Sequence, residues 1–312
     1  MASHRTEDAL VRAARRLGHR AEGFDVLRWH RRLGTVGASH VARRLEAFHP
    51  DIVLCTRHAV RLGTDRLATL CRDRRVILWF FDTQPQPGVL ELARACDEVY
   101  LTYAGLVATW REAGITSARF LPQGVDPDLD RPGTAQPALA CDISFVGSGQ
   151  YPYRWPLLER LAAAHDLQVR GPGWDAAPAG IPVVGGEVRG PALADIITSA
   201  RISLGAHAVP EQAGEYASAS NRMWKILGAG GAYLGAWVPG IEHFAGDREH
   251  CRWYRSVEEA LDACAELLAD PDERRAMAER GRAHALAHHS YDRRLALLLE
   301  GSDYPLPPPT ST

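Results

Sequence analysis

Short apolar runs alternate with amphipathic helical segments along most of this 312-residue chain. Residues 6–18, TEDALVRAARRLG, put Leu10, Val11, Ala14 and Leu17 on one helical face and stop at Gly18, a residue suited to a helix end. HPDIVLC, RRVILWFFD and ACDEVYLTY are β-branched or aromatic runs of strand length with polar ends. LVATWREAG reads as a helix closed by glycine, and ARFLPQGVD ends the first half. After residue 140 the pattern restarts: strand CDISFVG, helix WPLLERLAAAH, strand LQVRG, helix GPALADIITSA, strand ISLGA. A helix over 219–229, strand AYLGA and helices over 256–269 and 271–288 follow. Such alternation predicts α/β architecture, with βαβ units and parallel sheets covered by helices on both faces.

Composition divides the chain. Residues 126–140, DPDLDRPGTAQPALA, are rich in Pro, Asp and small residues without periodicity and read as a linker. The expected organisation is therefore a domain over 1–126, a linker over 127–140, a second domain over 141–300 and a disordered tail over 301–312. Both domains are expected to be doubly wound and Rossmann-like, facing a cleft onto which the C-terminal strand ends open. Doubly wound domains usually open with a strand, whereas MASHRTEDAL is already loop and helix. Either the start lies upstream or the first domain lacks a strand.

The net charge of −2 gives no bulk basic character for nucleic acid. The six cysteines are scattered, with no C-x-x-C pair, so reduced thiols in a cytoplasmic protein are expected, and no structural zinc. No apolar stretch reaches membrane-spanning length, and no signal-peptide layout is present.

One feature of the charge inventory is unusual. Lys and Arg number 36, and Lys225 is the only lysine. It stands in SNRMWKILGAGGAYLG, three residues after Arg222, so both share a helix face. Arginine forks onto two oxygens, whereas lysine is a compact point charge on a flexible stem. Together they suit a diphosphate; the plain alternative for Lys225 is a solvated surface residue. GAGGAYLG follows a helix and precedes a strand, the reverse of a dinucleotide fingerprint, so Gly228–Gly231 read as a helix-terminating turn.

Other candidates lie at strand ends. In GSGQYPYR, Gly147, Ser148 and Gly149 follow a strand and Arg154 stands near a helix start. Glycine amides there would approach phosphate oxygens closely, or form an ordinary turn. Gly171 and Trp174, in GPGW, would set a nucleobase against backbone and an aromatic ring, unless Trp174 is core. His207 follows ISLGA and is either structural or a site residue. In the first half Asp82, ending VILWFFD, is a candidate general base or a loop brace, and His58 beside Arg57 is a second candidate base. Ser3 and His4, in the loop before the first helix, are further candidates for lining the cleft.

Several ordered pieces resemble the GT-B glycosyltransferases, particularly the CgeB/YkvP-like group with its family-1-type C-terminal domain. They are LPQGVD, DISFVGSGQYPYRWPLLERL, LQVRGPGW, SNRMWKILGAGGAYLG and a terminal helical stretch closing on His289-x-Tyr291-x-x-Arg294. The resemblance implies a metal-independent, hexosyl-type glycosyltransferase without a cofactor, moving a sugar from a nucleoside-diphosphate sugar (UDP or dTDP) to an acceptor hydroxyl. The donor would sit on the second domain, with Asn221 and Arg222 in the binding helix and Gly240 and Ile241 opening a further helix that faces it. Asp82 resembles the aspartate that group carries after an aromatic strand. One position departs: Lys225 stands where the family commonly has a ribose-binding glutamate, and Ala217 stands eight residues earlier, so a Glu-x7-Glu pair is absent. A sugar-nucleotide epimerase and a non-catalytic scaffold of the same fold are the rival readings.

Overall fold

Four parallel strands and their connecting helices account for the first half of the computed structural model, which describes residues 6–211 and 216–306. Helices α1 (Thr6–Arg16) and α2 (Val26–Phe48) precede β1 (Ile52–Cys55), α3 (Thr64–Leu70), β2 (Arg75–Phe80), α4 (Val89–Arg94), β3 (Glu98–Leu101), α5 (Leu106–Glu112) and β4 (Ala118–Phe120). The sheet runs β1-β2-β3-β4. In β2, Val76, Leu78 and Phe80 are buried, and so are Ile77 and Trp79 on the other face. Both faces are thus covered, as a parallel sheet requires. The sequence pattern does not announce α2 because Gly34 and Gly37 interrupt it. Gly34 holds a non-helical φ of 55° and bends the helix. A Cβ at Gly37 would lie 2.3 Å from the Trp29 carbonyl oxygen.

The second half contains β5 (Cys141–Val146), α6 (Trp155–Ala164), β6 (Leu167–Arg170), β7 (Val183–Gly185), α7 (Pro191–Ser199), β8 (Ala200–Leu204), α8 (Asn221–Gly228), β9 (Tyr233–Ala236), β10 (Arg252–Tyr254), α9 (Val257–Ala269), α10 (Pro271–His288) and α11 (Tyr291–Glu300). Its six strands are parallel in the order β10-β9-β8-β5-β6-β7. The chain winds outward from β5 in one direction and from β8 in the other, so the order reverses between them. The two three-residue strands, β7 and β10, lie at the edges, where little apolar patterning is needed.

Over the described residues two compact units result, one of residues 10–122 and 295–306, the other of 6–9, 123–211 and 216–294. Residues 127–140, whose composition predicts a linker, lie inside the second unit. Their backbone N–H groups are satisfied by α7: Gly133 donates to Thr198 Oγ1, Thr134 to Asp195 Oδ1 and Gln136 to Ser199 Oγ. Composition pointed to no α-helix or strand here, and the segment holds only the 3-10 turn Pro137–Leu139, but composition was silent on these side-chain acceptors. The expected disordered tail also differs over its described part. The Arg119 guanidinium bonds the Gly301 carbonyl, and the Tyr304 ring meets Phe120 edge-on at 5.7 Å, both within the first unit. Residues 307–312, like Ser3 and His4, lie outside the described residues. All six cysteines are free and buried. No helix among the described residues is long and apolar enough to cross a membrane.

The α10–α11 corner closes the second unit. His289, 3% exposed, packs its ring on Trp224 at 4.8 Å, and its Nδ1 accepts from Arg294 at 2.8 Å. The Val125 N–H donates to the His289 carbonyl and the Tyr291 N–H to the Val125 carbonyl. Gly124 is glycine because a Cβ would stand 2.4 Å from that same His289 oxygen. Burial, then the Arg294 charge, pushes the His289 pKa down to about 2. An unfolded histidine titrates near 6.5, so below that pH the unfolded chain binds the extra proton and the fold loses stability. Burial lowers His207, His250 and His284 as well. Urea denaturation is therefore expected to show stability falling from pH 7 to pH 5. His289→Asn should flatten that slope by up to about 1.4 kcal/mol per pH unit.

Candidate functional site

A cavity of about 410 Å³ opens at the carboxyl ends of β5 and β8, where the strand order reverses. Physical reasoning places ligands of doubly wound sheets there, because the strands on either side diverge and leave a crevice. The floor is the polar face of two strands. Ser144 and Ser203 are buried with their hydroxyls 3.2 Å apart, and Val146 and Leu204 end the same strands. α7 contributes Leu193 and Ile197, α8 contributes Asn221, Arg222, Lys225 and Ile226, and α1 contributes Thr6 and Glu7.

α8 starts at this cavity for local reasons. Ser220 caps it, its hydroxyl accepting from the Arg222 N–H at 3.2 Å. The helix ends in the predicted glycine turn: Gly230 takes φ 75°, and a Cβ at Gly231 would meet Ile197 at 2.5 Å. The Arg222 side chain crosses to β5, where Nε donates to the Val146 carbonyl at 2.8 Å and the guanidinium lies 4.8 Å from the Phe145 ring centre. Gly147 is glycine because a Cβ would stand 2.5 Å from the Arg222 guanidinium.

Arg154 sits on the same ring, 5.3 Å from its centre, and is 5% exposed. It donates to the Ser148 carbonyl at 3.1 Å and the His207 carbonyl at 3.3 Å, fastening the loop after β5 to the loop after β8. Among the described residues neither arginine pairs with a carboxylate. Burial, then repulsion from Arg222, lowers the Arg154 pKa to about 9. Burial lowers Arg222 too. Asn221 adds a buried side-chain carbonyl without a donor among the described residues. Among the described residues the strand ends thus carry two guanidinium groups held by carbonyl oxygens rather than by carboxylates, next to an unfilled acceptor.

Lys225 is only partly exposed and is not free. Its ammonium lies 3.4 Å from Asp130 Oδ1, and Asp130 is 8% exposed. The other Asp130 oxygen accepts the Asp126 N–H at 2.8 Å. A guanidinium fork wants two acceptors, and only one oxygen is available; this is a physical reason for lysine in a chain of arginines. Gly228 lets α8 approach this turn, since a Cβ would stand 2.7 Å from Asp130 Cβ. Asp130 was concealed in the sequence by the linker composition around it.

Several expected roles change. The Gly147 and Gly149 N–H groups are taken by the Arg170 and Pro172 carbonyls, so they do not point at a ligand. Gly147, Gly149 and Gly171 instead let two loops touch: a Cβ at Gly171 would stand 2.0 Å from the Gly147 oxygen. Trp174 is 7% exposed, and its indole N–H donates to the Gly147 carbonyl at 3.0 Å, so it is core rather than a base platform. His207 is half-buried against the Trp237 carbonyl at 3.3 Å. Gly240 takes φ 77°, yet no helix follows: Ile241–His243 is a single 3-10 turn, and the Ile241 N–H donates to the Val238 carbonyl. Of the predicted binding residues, Asn221, Arg222 and Lys225 line the cavity, while Gly147, Ser148, Arg154, Gly171, Trp174 and His207 form its supporting loops. Thr6, Glu7 and the serine pair were missed. Only the Ser of DISFVG, polar within an apolar run, offered a signal.

In the first unit, Asp82 lies two residues beyond β2 and forms an ion pair with Arg57 at 2.6 Å. His58 follows in the 3-10 turn Arg57–Leu62. Thr102, just past β3, has a buried hydroxyl without a partner among the described residues.

Residues 154–300 match the family model described as glycosyl transferase-like. Solved structures extend the likeness over both units. Anabaena HepE in complex with UDP-glucose is 13% identical, covering 96% of this chain and 98% of its own, with a TM-score of 0.65. The fold is GT-B. A glycosyltransferase from Rickettsia africae shares this GT-B fold at 12% identity, 95% and 93% coverage and a TM-score of 0.66. So does sucrose-phosphate synthase from Thermosynechococcus elongatus at 14% identity, 86% and 78% coverage and a TM-score of 0.58. A search of curated protein sequences gives no match. The CgeB/YkvP-like subgroup is a finer assignment than these likenesses reach.

The Lys225–Asp130 pair gives a direct test of this geometry. Lys225→Met leaves a buried carboxylate unpartnered and is expected to cost about 1–3 kcal/mol. Adding Asp130→Asn should return most of that loss. Urea denaturation of the two single variants and the double variant measures the coupling.

Proposed function

We propose that this protein is a GT-B glycosyltransferase that moves a hexosyl group from a nucleoside-diphosphate sugar to an acceptor hydroxyl. The observation that carries the reading is the pair of arginines without carboxylates, Arg154 and Arg222, at the reversal of strand order beside the cavity. A diphosphate leaving group gains negative charge as the glycosidic bond breaks, and preorganised cations stabilise that charge without reorganising. In this reading Arg222 and Lys225 take the diphosphate, and Arg154 holds the surrounding loops in place. The Asn221 side-chain carbonyl accepts from a sugar or ribose hydroxyl. The cations serve in place of a metal, so the reaction is metal-independent.

UDP is the favoured nucleotide, with dTDP next; the UDP-glucose complex of the structurally similar HepE supports the choice. The acceptor binds the first unit in this proposal. Asp82 or His58 receives the acceptor proton there, and Asp82 must leave Arg57 to do so. Six free, buried thiols suit a reducing compartment, which supports action in the cytoplasm. The departure at Lys225 from the glutamate of the CgeB/YkvP-like group is accommodated if the lysine serves the diphosphate.

A thermal-shift panel of UDP, dTDP, GDP and ADP tests the reading. At a hundredfold excess over Kd, a ligand of the native state adds about 2.7 kcal/mol, a rise of several degrees. UDP is expected to give that rise, and Arg222→Met to weaken it by about 10- to 100-fold in affinity through one lost charge-assisted contact. If no nucleotide shifts the wild type, the enzyme reading falls and the non-catalytic scaffold replaces it.

A further inference from the structure

We propose that Asp130 is a competing anchor for Lys225: a nucleoside diphosphate draws the lysine ammonium off this buried carboxylate, which then takes up a proton from solvent. The inference rests on the donor site proposed above.

The geometry divides the pair into a fixed partner and a loose one. Asp130 is held at both ends of its residue. Its Oδ2 accepts the Asp126 N–H at 2.8 Å, and its own N–H donates to the Asp126 carbonyl at 2.8 Å. Its contact with Lys225, at 3.4 Å, is longer than the roughly 2.7–2.9 Å of a strong ammonium–carboxylate bond. Lys225 lies between two spaces, the 410 Å³ cavity and a small one of about 20 Å³ lined by Asp130, Leu129, Leu193 and Ile197. A flexible four-carbon stem lets the ammonium turn from one to the other without moving α8. Arg222, one turn earlier on that helix, marks the anion's side of the larger cavity.

Once the ammonium leaves, Asp130 has little to keep it ionised. Among the described residues, the charged and titratable groups that act on it include Lys225 of α8, Asp126 of its own turn and the Tyr291 hydroxyl of α11. α7 lines this side with the apolar Leu193, Ala194 and Ile197. Burial already raises the Asp130 pKa, and Lys225 is the largest effect opposing that rise. Removing Lys225 and bringing up a diphosphate both push the carboxyl further upward, so it binds a proton from buffer. By reciprocity, protonation of Asp130 and diphosphate binding favour each other.

Calorimetric titration of UDP at pH 7, in two buffers of different ionisation enthalpy, reads the proton directly. The wild type is expected to take up a measurable fraction of a proton per UDP. Asp130→Asn should lose that uptake and bind UDP about fivefold or more tightly, because nothing competes for the lysine. Lys225→Met should also lose the uptake but bind more weakly, its Asp130 being protonated before UDP arrives. Opposite affinity changes with the same loss of uptake are the signature, and damage to the fold would weaken both variants alike. Equal uptake in the wild type and both variants overturns the proposal and leaves the nucleotide site standing. Absence of UDP binding to the wild type overturns both.

Discussion

Two guanidinium groups share one phenylalanine ring at the end of β5, and the second unit is built around keeping them there. Arg154 and Arg222 repel each other, and burial strips both of water. A buried cation without a counter-charge costs several kcal/mol, so the fold must hold the arrangement by other means. It uses carbonyl oxygens: those of Val146, Ser148 and His207 accept from the pair. These bonds also fix the two loops that follow β5 and β8. The charge left over is what an anion would complete.

Glycines make the arrangement possible by omission. Gly147 leaves room for Arg222, Gly171 lets its loop reach Gly147, and Gly228 brings α8 down to Asp130. The GSG stretch thus serves packing, and in the proposed function the cationic side chains take the role that backbone amides were expected to fill. The lone lysine belongs to the same scheme. One free carboxylate oxygen in a tight turn suits an ammonium better than a planar fork.

Most of the strand and helix order was legible because parallel sheets demand apolar runs. VILWF and DISFV announce β2 and β5, and PDERRAMAERGRAHALAH announces α10. What escaped was structure held by single contacts. α2 is broken by Gly34, β7 and β10 are three-residue edges, and 127–140 is fastened by side chains of α7 that no local pattern reveals. The site divides in the same way. Arg222 and Lys225 were visible by helical spacing and by the oddity of one lysine. Asp130, Thr6 and Glu7 reach it from distant positions in the chain, and a short 3-10 turn stands where a helix was expected after Gly240.

The central claim is that Arg222 and Lys225, at the β5–β8 reversal, hold a diphosphate. Amide hydrogen exchange with and without saturating UDP tests it most directly. The account predicts slowed exchange in residues 146–150 and 220–226, with the Arg222→Met variant losing that protection. Protection absent from both segments, while UDP demonstrably binds, would contradict it.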